Sequence, residues 1–162
     1  MKRLGWGLLI LICAPIVLVV LGLIGTELNK AYWDRQVRKL CEKEGGVTVY
    51  EVVTVSLEQY PTLRLTARGG LILPSDSQLN EGDPFYYKNS TKVLRKKNPT
   101  VRRYDSEVVR VEDEKVLGKK TSFSRIGGDF PTVIGHPSSY SCSDVKGFKN
   151  DLFNSVIDIK ER

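Results

Sequence analysis

The chain has 162 residues, 41% of them hydrophobic and 27% charged, with a formal net charge of +6. That balance excludes a disordered polyelectrolyte, and the length allows one domain with a single core beside any anchor. One histidine, three cysteines and no C-x-x-C spacing leave no ligand set for a metal, and no spaced carboxylate set replaces it.

Residues 4–25 carry no charged side chain, follow Lys2 and Arg3, and are followed, after Thr26, by Glu27. As a helix they would run roughly 33 Å, the hydrocarbon thickness of a bilayer. Fourteen of them are Leu, Ile or Val, together favouring insertion by roughly 6 kcal/mol before the costs of glycine and Pro15. A cleaved secretory signal has a shorter apolar core and small residues at −3 and −1, whereas cleavage after Gly25 would put Leu23 at −3. Cys13 follows Ile10, Leu11 and Ile12, where lipidation wants a small residue next to the cysteine. The segment therefore reads as a signal anchor, residues 1–25.

Orientation rests on two opposed signals. Lys2 and Arg3 lie before the span, and Lys30, Arg35, Arg38, Lys39 and Lys43 after it, a bare count that favours a cytoplasmic body. Cys41 and Cys142 lie near the two ends of the remainder, a spacing that suits one disulfide in an oxidising compartment. A short tail with two basic residues seldom crosses, so the body is expected on the outer side of the membrane.

Residues 26–46 are expected to continue the helix beside the membrane. Residues 27–44 hold no Gly or Pro, and Leu28, Tyr32, Trp33, Val37, Leu40 and Cys41 recur at steps of three to five. Tyr32 and Trp33 fit the domain core better than the headgroup layer, and Gly45 and Gly46 end the helix. Residues 47–162 then form the domain. Residues 47–57 are rich in β-branched side chains and read as one strand, residues 63–67 and 71–73 as short ones, and residues 74–84 as an exposed loop. Strands follow at 85–87, 91–95 and 101–112, with a return at 116–117 and 121–126. Residues 129–143 read as coil. From Phe148 the apolar residues Leu152, Val156 and Ile159 make a helical stripe of about three turns, with a final strand at 155–159 as the alternative. The fold class is α+β: an N-terminal transmembrane helix extending into a helix, an antiparallel sheet and a C-terminal helix.

Residues 40–51, LCEKEGGVTVYE, and the hairpin 108–118 running on to Gly127 and Gly128 resemble segments of small, uncharacterised, bacterial membrane-anchored proteins. The resemblance implies a bacterial envelope setting and supplies no activity, cofactor or catalytic residue.

Chemistry has few candidates. His136 stands six residues before Cys142, near Asp129 and Asp144 in sequence, so a small anchored hydrolase using Cys142 and His136 is one reading; it needs an accessible, reduced thiolate beside its base. The S-x-x-K pattern from Ser143 to Lys146 and the Lys120-Thr-Ser122 triplet occur in the reverse of the order used by penicillin-recognising enzymes, in a chain too short for that fold. The glycine pairs lack phosphate-loop spacing. No cofactor and no catalytic residue is expected.

The whole charge excess sits in residues 85–104, which hold Lys88, Lys92, Arg95, Lys96, Lys97, Arg102 and Arg103 and no acidic residue; the rest of the chain has eighteen basic against nineteen acidic. A run of this kind can guard a sheet edge against pairing, or bind anions. An outward-facing domain would meet anionic lipid headgroups or an acidic envelope protein rather than nucleic acid. The sequence thus points to a non-catalytic interaction or structural domain on a single-pass anchor, with an immunity-type inhibitor of an envelope-acting toxin as a further reading.

Overall fold

A computed structural model describes residues 2–67, 69–129 and 136–160, with side chains from Cys13 onward. One α-helix, α1, runs unbroken from Lys2 to Glu44, so the anchor segment and the helix after it are a single rod. From Cys13 to Glu44 it is long and apolar enough to cross a membrane, and its most apolar window buries nothing in the protein; Leu18, for example, is 69% exposed. The second part behaves differently. Val37 and Cys41 are buried against the domain, with Trp33 and Leu40 packed beside them, while Tyr32 stays outside and meets the Trp33 ring edge-on at 5.3 Å.

Helix α1 ends at Glu44: the Gly45 amide makes the last helical bond, to the Cys41 carbonyl at 3.0 Å, Gly46 at φ +120° turns the chain out of the helix, and a Cβ on Gly45 would lie 2.5 Å from that same carbonyl oxygen. Only glycine permits so close an approach. The chain then enters β1, Gly46–Val49, and β2, Val53–Val55. The single strand expected over residues 47–57 is in fact two, in different sheets. Strand β1 pairs antiparallel with a later strand, Val116–Ile126, as far as Val49 opposite Gly118, and the amides of Tyr50 and Glu51 then both donate to the Leu117 carbonyl. That shared acceptor turns the chain out of register and hands β2 to a different partner.

Strands β3, Arg64–Leu65, and β4, Leu71–Ile72, form a small hairpin, and residues 74–84 are the expected loop, with one 3-10 turn at Asp76–Gln78. Three long strands make the framework: β5, Phe85–Arg95; β6, Thr100–Arg110; and β7, Val116–Ile126. The two short strands expected within β5, and the two within β7, are each one continuous strand. The main sheet has the order β1, β7, β6, β5, all antiparallel, and β8, Ser139–Ser141, continues the line of β1 along β7. Ser139–Ser141 therefore corrects the coil expected there; the serines and prolines that suggest coil flank a three-residue edge pairing. Residues 130–135 of that coil lie outside the described residues.

The three-turn helix expected from Phe148 shrinks to one turn, α2, Phe153–Val156, followed by β9, Ile157–Ile159, which pairs parallel with β2. The stripe is divided rather than continuous. Phe148, just after Gly147 at φ +82°, packs beside Cys41 and Cys142, whereas Leu152 and Val156 enter a second core. Asp151 accepts the Asn154 amide at 3.2 Å and starts the short turn.

Two cores result, one on each face of the sheet. Against α1 lie Val37, Cys41, Val101, Phe123 and Cys142. On the other side, β2, β4, α2 and β9 cover Phe85, Val108 and Leu117 with Val55, Leu71, Val156 and Ile157. The molecule is an α+β protein with a long N-terminal helix, an antiparallel sheet and a short C-terminal helix.

Candidate interaction surface

Cys41, in the last turn of α1, and Cys142, just after β8, are joined: S–S 1.97 Å, Cα to Cα 5.5 Å, closing 101 residues of sequence. The bridge fixes α1 to the sheet, and one of its sulfurs, Cys142 Sγ, accepts the Phe123 amide at 3.1 Å. This removes the Cys142–His136 nucleophile. Cys142 is fully buried and has no thiol to ionise, while His136 is exposed. The carboxylates near His136 in sequence serve the backbone: Asp129 accepts the Ser138 amide at 2.6 Å, and Asp144 that of Ser141 at 2.7 Å. Ser143 Oγ accepts from Asn150 at 3.4 Å. Among the described residues no group of three His, Cys, Asp or Glu converges where a metal could sit.

The seven basic residues of the β5–β6 hairpin do not form a single face. Cross-strand partners share a face of a sheet. Lys88 opposite Glu107, and Lys92 opposite Arg103, therefore lie on the face that α1 covers further along, while Arg102, opposite Val93, lies on the other. Arg103 is neutralised: its Nε donates to Asp105 at 2.8 Å, its Nη1 reaches Glu44 at 3.5 Å, and its guanidinium sits 5.8 Å over the Phe123 ring. Arg95 stacks 4.5 Å over Trp33 and donates to the Pro99 carbonyl. Arg102 keeps a buried Nε with no hydrogen-bond partner among the described residues. Lys88, Lys92, Lys96 and Lys97 are exposed and have no ion pair among the described residues. Beyond Tyr87, whose amide is held by Pro74, the outer edge of β5 has no neighbouring strand among the described residues, so Lys88 and Lys92 stand where a guard against edge pairing belongs.

Strand β7 and the turn after it are anchored to α1 at successive helix positions. Buried Arg125, 2% exposed, pairs through Nε with Asp34 and through Nη1 with the Gly127 carbonyl and, at 3.1 Å, Ser138 Oγ. One turn back, Lys30 Nζ lies 3.2 Å from Asp129. Gly128, at φ +96°, is wedged between helix and turn: a Cβ there would meet Lys30 Cγ at 3.1 Å and Pro99 Cβ at 3.5 Å. Its amide donates to Asn98 Oδ1 at 2.6 Å, which ties the hairpin turn to the end of β7.

Lys120, which the sequence offers only within the Lys120-Thr-Ser122 triplet, has a place in the fold that spacing does not reveal. It opens into a cleft of about 210 Å³ between the sheet and α2, lined by Tyr87, Asn89, Ser106, Asn150 and Phe153. Burial pushes its ammonium below the usual lysine range, and nearby Asp151 offsets only part of that. No ion pair reaches it among the described residues. The strand period hints at Lys120 only once its neighbours are known, because Lys119 beside it pairs with Glu107 at 3.0 Å and Asp105 at 3.6 Å on the opposite face. Comparison of the chain with protein-family models, with curated proteins and with solved structures returns no match.

Proposed function

We propose that this chain is a single-pass membrane-anchored protein of the bacterial envelope, its domain on the periplasmic side, acting as a non-catalytic interaction module through the unpaired lysines of the β5–β6 hairpin. The observation that carries this reading is the change of character along one unbroken helix: apolar and unburied from Cys13 to Ile24, packed and crosslinked to the domain from Trp33 to Cys41. An apolar rod that buries nothing in its own protein needs another apolar solvent, and a bilayer supplies it. The Cys41–Cys142 bridge fits an oxidising compartment. The partner chemistry is anionic, since Lys88, Lys92, Lys96 and Lys97, which the hairpin presents, are exposed and have no ion pair among the described residues.

The test is thiol labelling of the full chain in intact cells with an impermeant maleimide, in a Cys13→Ser background, with and without prior reduction. Labelling of Cys41 and Cys142 only after reduction is the expected result. Two thiols that react without reductant, and only after lysis, would place the domain in the cytoplasm and overturn the reading.

A further inference from the structure

The geometry points to the partner of the hairpin turn: we infer that Lys96 and Lys97 bind the anionic headgroups of the same bilayer leaflet from which α1 emerges, so that the domain rests on the membrane surface. This rests on the anchoring proposed above.

The direction of the hairpin decides it. Along β7 the contacts with α1 run backwards along the helix: Thr121 pairs with Gly46 just past its end, Phe123 packs with Val37 and Cys41, Arg125 binds Asp34, and Gly128 meets Lys30. Strand β7 therefore runs towards the membrane. Strands β5 and β6 are antiparallel neighbours, so the turn between Arg95 and Thr100 lies at that same end. Arg95 stacking on Trp33, and Pro99 against Gly128, hold it there.

Helix rise converts this to height. Lys30 stands roughly 7 Å and Trp33 roughly 12 Å beyond Gly25, at 1.5 Å per residue. The headgroup layer occupies roughly 5–7 Å outside the hydrocarbon. Lys96 and Lys97 follow directly on Arg95, are exposed, and have no carboxylate partner among the described residues. Val93 and Leu94 beside them are exposed apolar residues, suited to the interfacial depth that lysine stems also favour. Arg103 and Lys119, further from the turn, are paired internally. The adjacent unpaired charges of Lys96 and Lys97 thus stand at the end of the hairpin nearest the bilayer, where each lysine contributes about a fivefold preference for an anionic surface, decaying within a Debye length.

The experiment uses the oxidised full chain reconstituted in nanodiscs of phosphatidylcholine alone or mixed with phosphatidylglycerol, reading amide hydrogen exchange at residues 93–101, with β7 amides as the control for folding. Expected is slower exchange at the turn in the anionic discs, an effect that fades with added salt and is absent in K96E/K97E while β7 stays protected. Equal exchange in both lipids, with the chain retained through an alkaline wash, would overturn the headgroup contact and leave the anchoring intact. Loss of the chain in that wash would sink the anchoring and this inference with it. Equal protection from inorganic phosphate over phosphatidylcholine discs would reassign the turn to free anions and overturn the surface contact.

Discussion

The two faces of the sheet are held by different forces. On the α1 side the buried apolar set is small, five residues of which two are the bridged cysteines, and a buried arginine, a ring-stacked arginine and a disulfide complete it. The opposite side buries ten apolar residues, among them Leu117, Val156 and Ile157, and has no crosslink. A single helix lying across a sheet covers little apolar area, so covalent and ionic contacts make up what burial does not supply. The far side gathers chain from four separate stretches and needs only packing.

That contrast can be broken most forcefully at the bridge. Cys41→Ala with Cys142→Ala releases a closed loop of 101 residues, and the chain-entropy relation sets the loss at about 4–5 kcal/mol. Urea unfolding of the oxidised domain should show it, and reductant should move the wild type to the same midpoint. Hydrogen exchange would sharpen the comparison: reduction should loosen β8 and residues 37–44 before β2 and β9. A midpoint indifferent to reductant would contradict the division of labour.

Next come two substitutions of similar size and opposite kind. Leu117→Ala should cost about 3 kcal/mol as a cavity on the packed side, and Arg125→Ala about as much on the α1 side, by leaving Asp34 and the Gly127 carbonyl without their donor. Salt tells them apart, since added salt should narrow the Arg125→Ala deficit and leave that of Leu117→Ala unchanged. Gly118→Ala follows at about 2 kcal/mol, because the new Cβ would lie 2.5 Å from Val156 Cγ2 and 3.2 Å from the Thr48 carbonyl.

The smallest effect is a dependence on pH. Burial would raise the Asp105 pKa, but hydrogen bonds from Arg103 and Thr121 and the charge of Lys119 outweigh it and hold the carboxylate below its usual range. The unfolded chain then takes up a proton first, so this contribution is full above the ordinary aspartate pKa and is lost as pH falls through the lowered one. Asp105→Asn should therefore destabilise at pH 7 by on the order of 1 kcal/mol and converge with the wild type in acid, as read by urea midpoints across that range.

Much of this fold was legible from periodicity. The apolar run, the helix after it and its glycine stop follow from spacing alone, and so does the long strand β6, whereas β7 reads as two pieces because Gly118, Lys119 and Lys120 interrupt its apolar residues. The losses occur where the partner of a segment changes. Residues 46–55 look uniform because Val47, Val49, Val53 and Val55 are alike, yet the turn at Tyr50 is set by a carbonyl of distant Leu117. Phe148 and Leu152 have helical spacing and belong to different cores. For the candidate surface, composition located the basic run, but its division between Arg103, cancelled by Asp105 and Glu44, and the unpaired Lys96 and Lys97 depends on strand register. Lys120 shows the same limit, since one residue of register separates it from the paired Lys119.

The unbroken course of α1 through Gly22 and Gly25 leaves no swivel between the apolar rod and the domain clamped to its far end. Azimuth is therefore inherited: whichever side of the rod faces a neighbour also decides which way the sheet looks. One alanine inserted after Gly25 would turn the domain by about 100° and lift it about 1.5 Å, whereas a seven-residue insertion would nearly restore its bearing at a greater height. The helix would then act as a drive shaft, converting a twist at one end into an equal twist at the other.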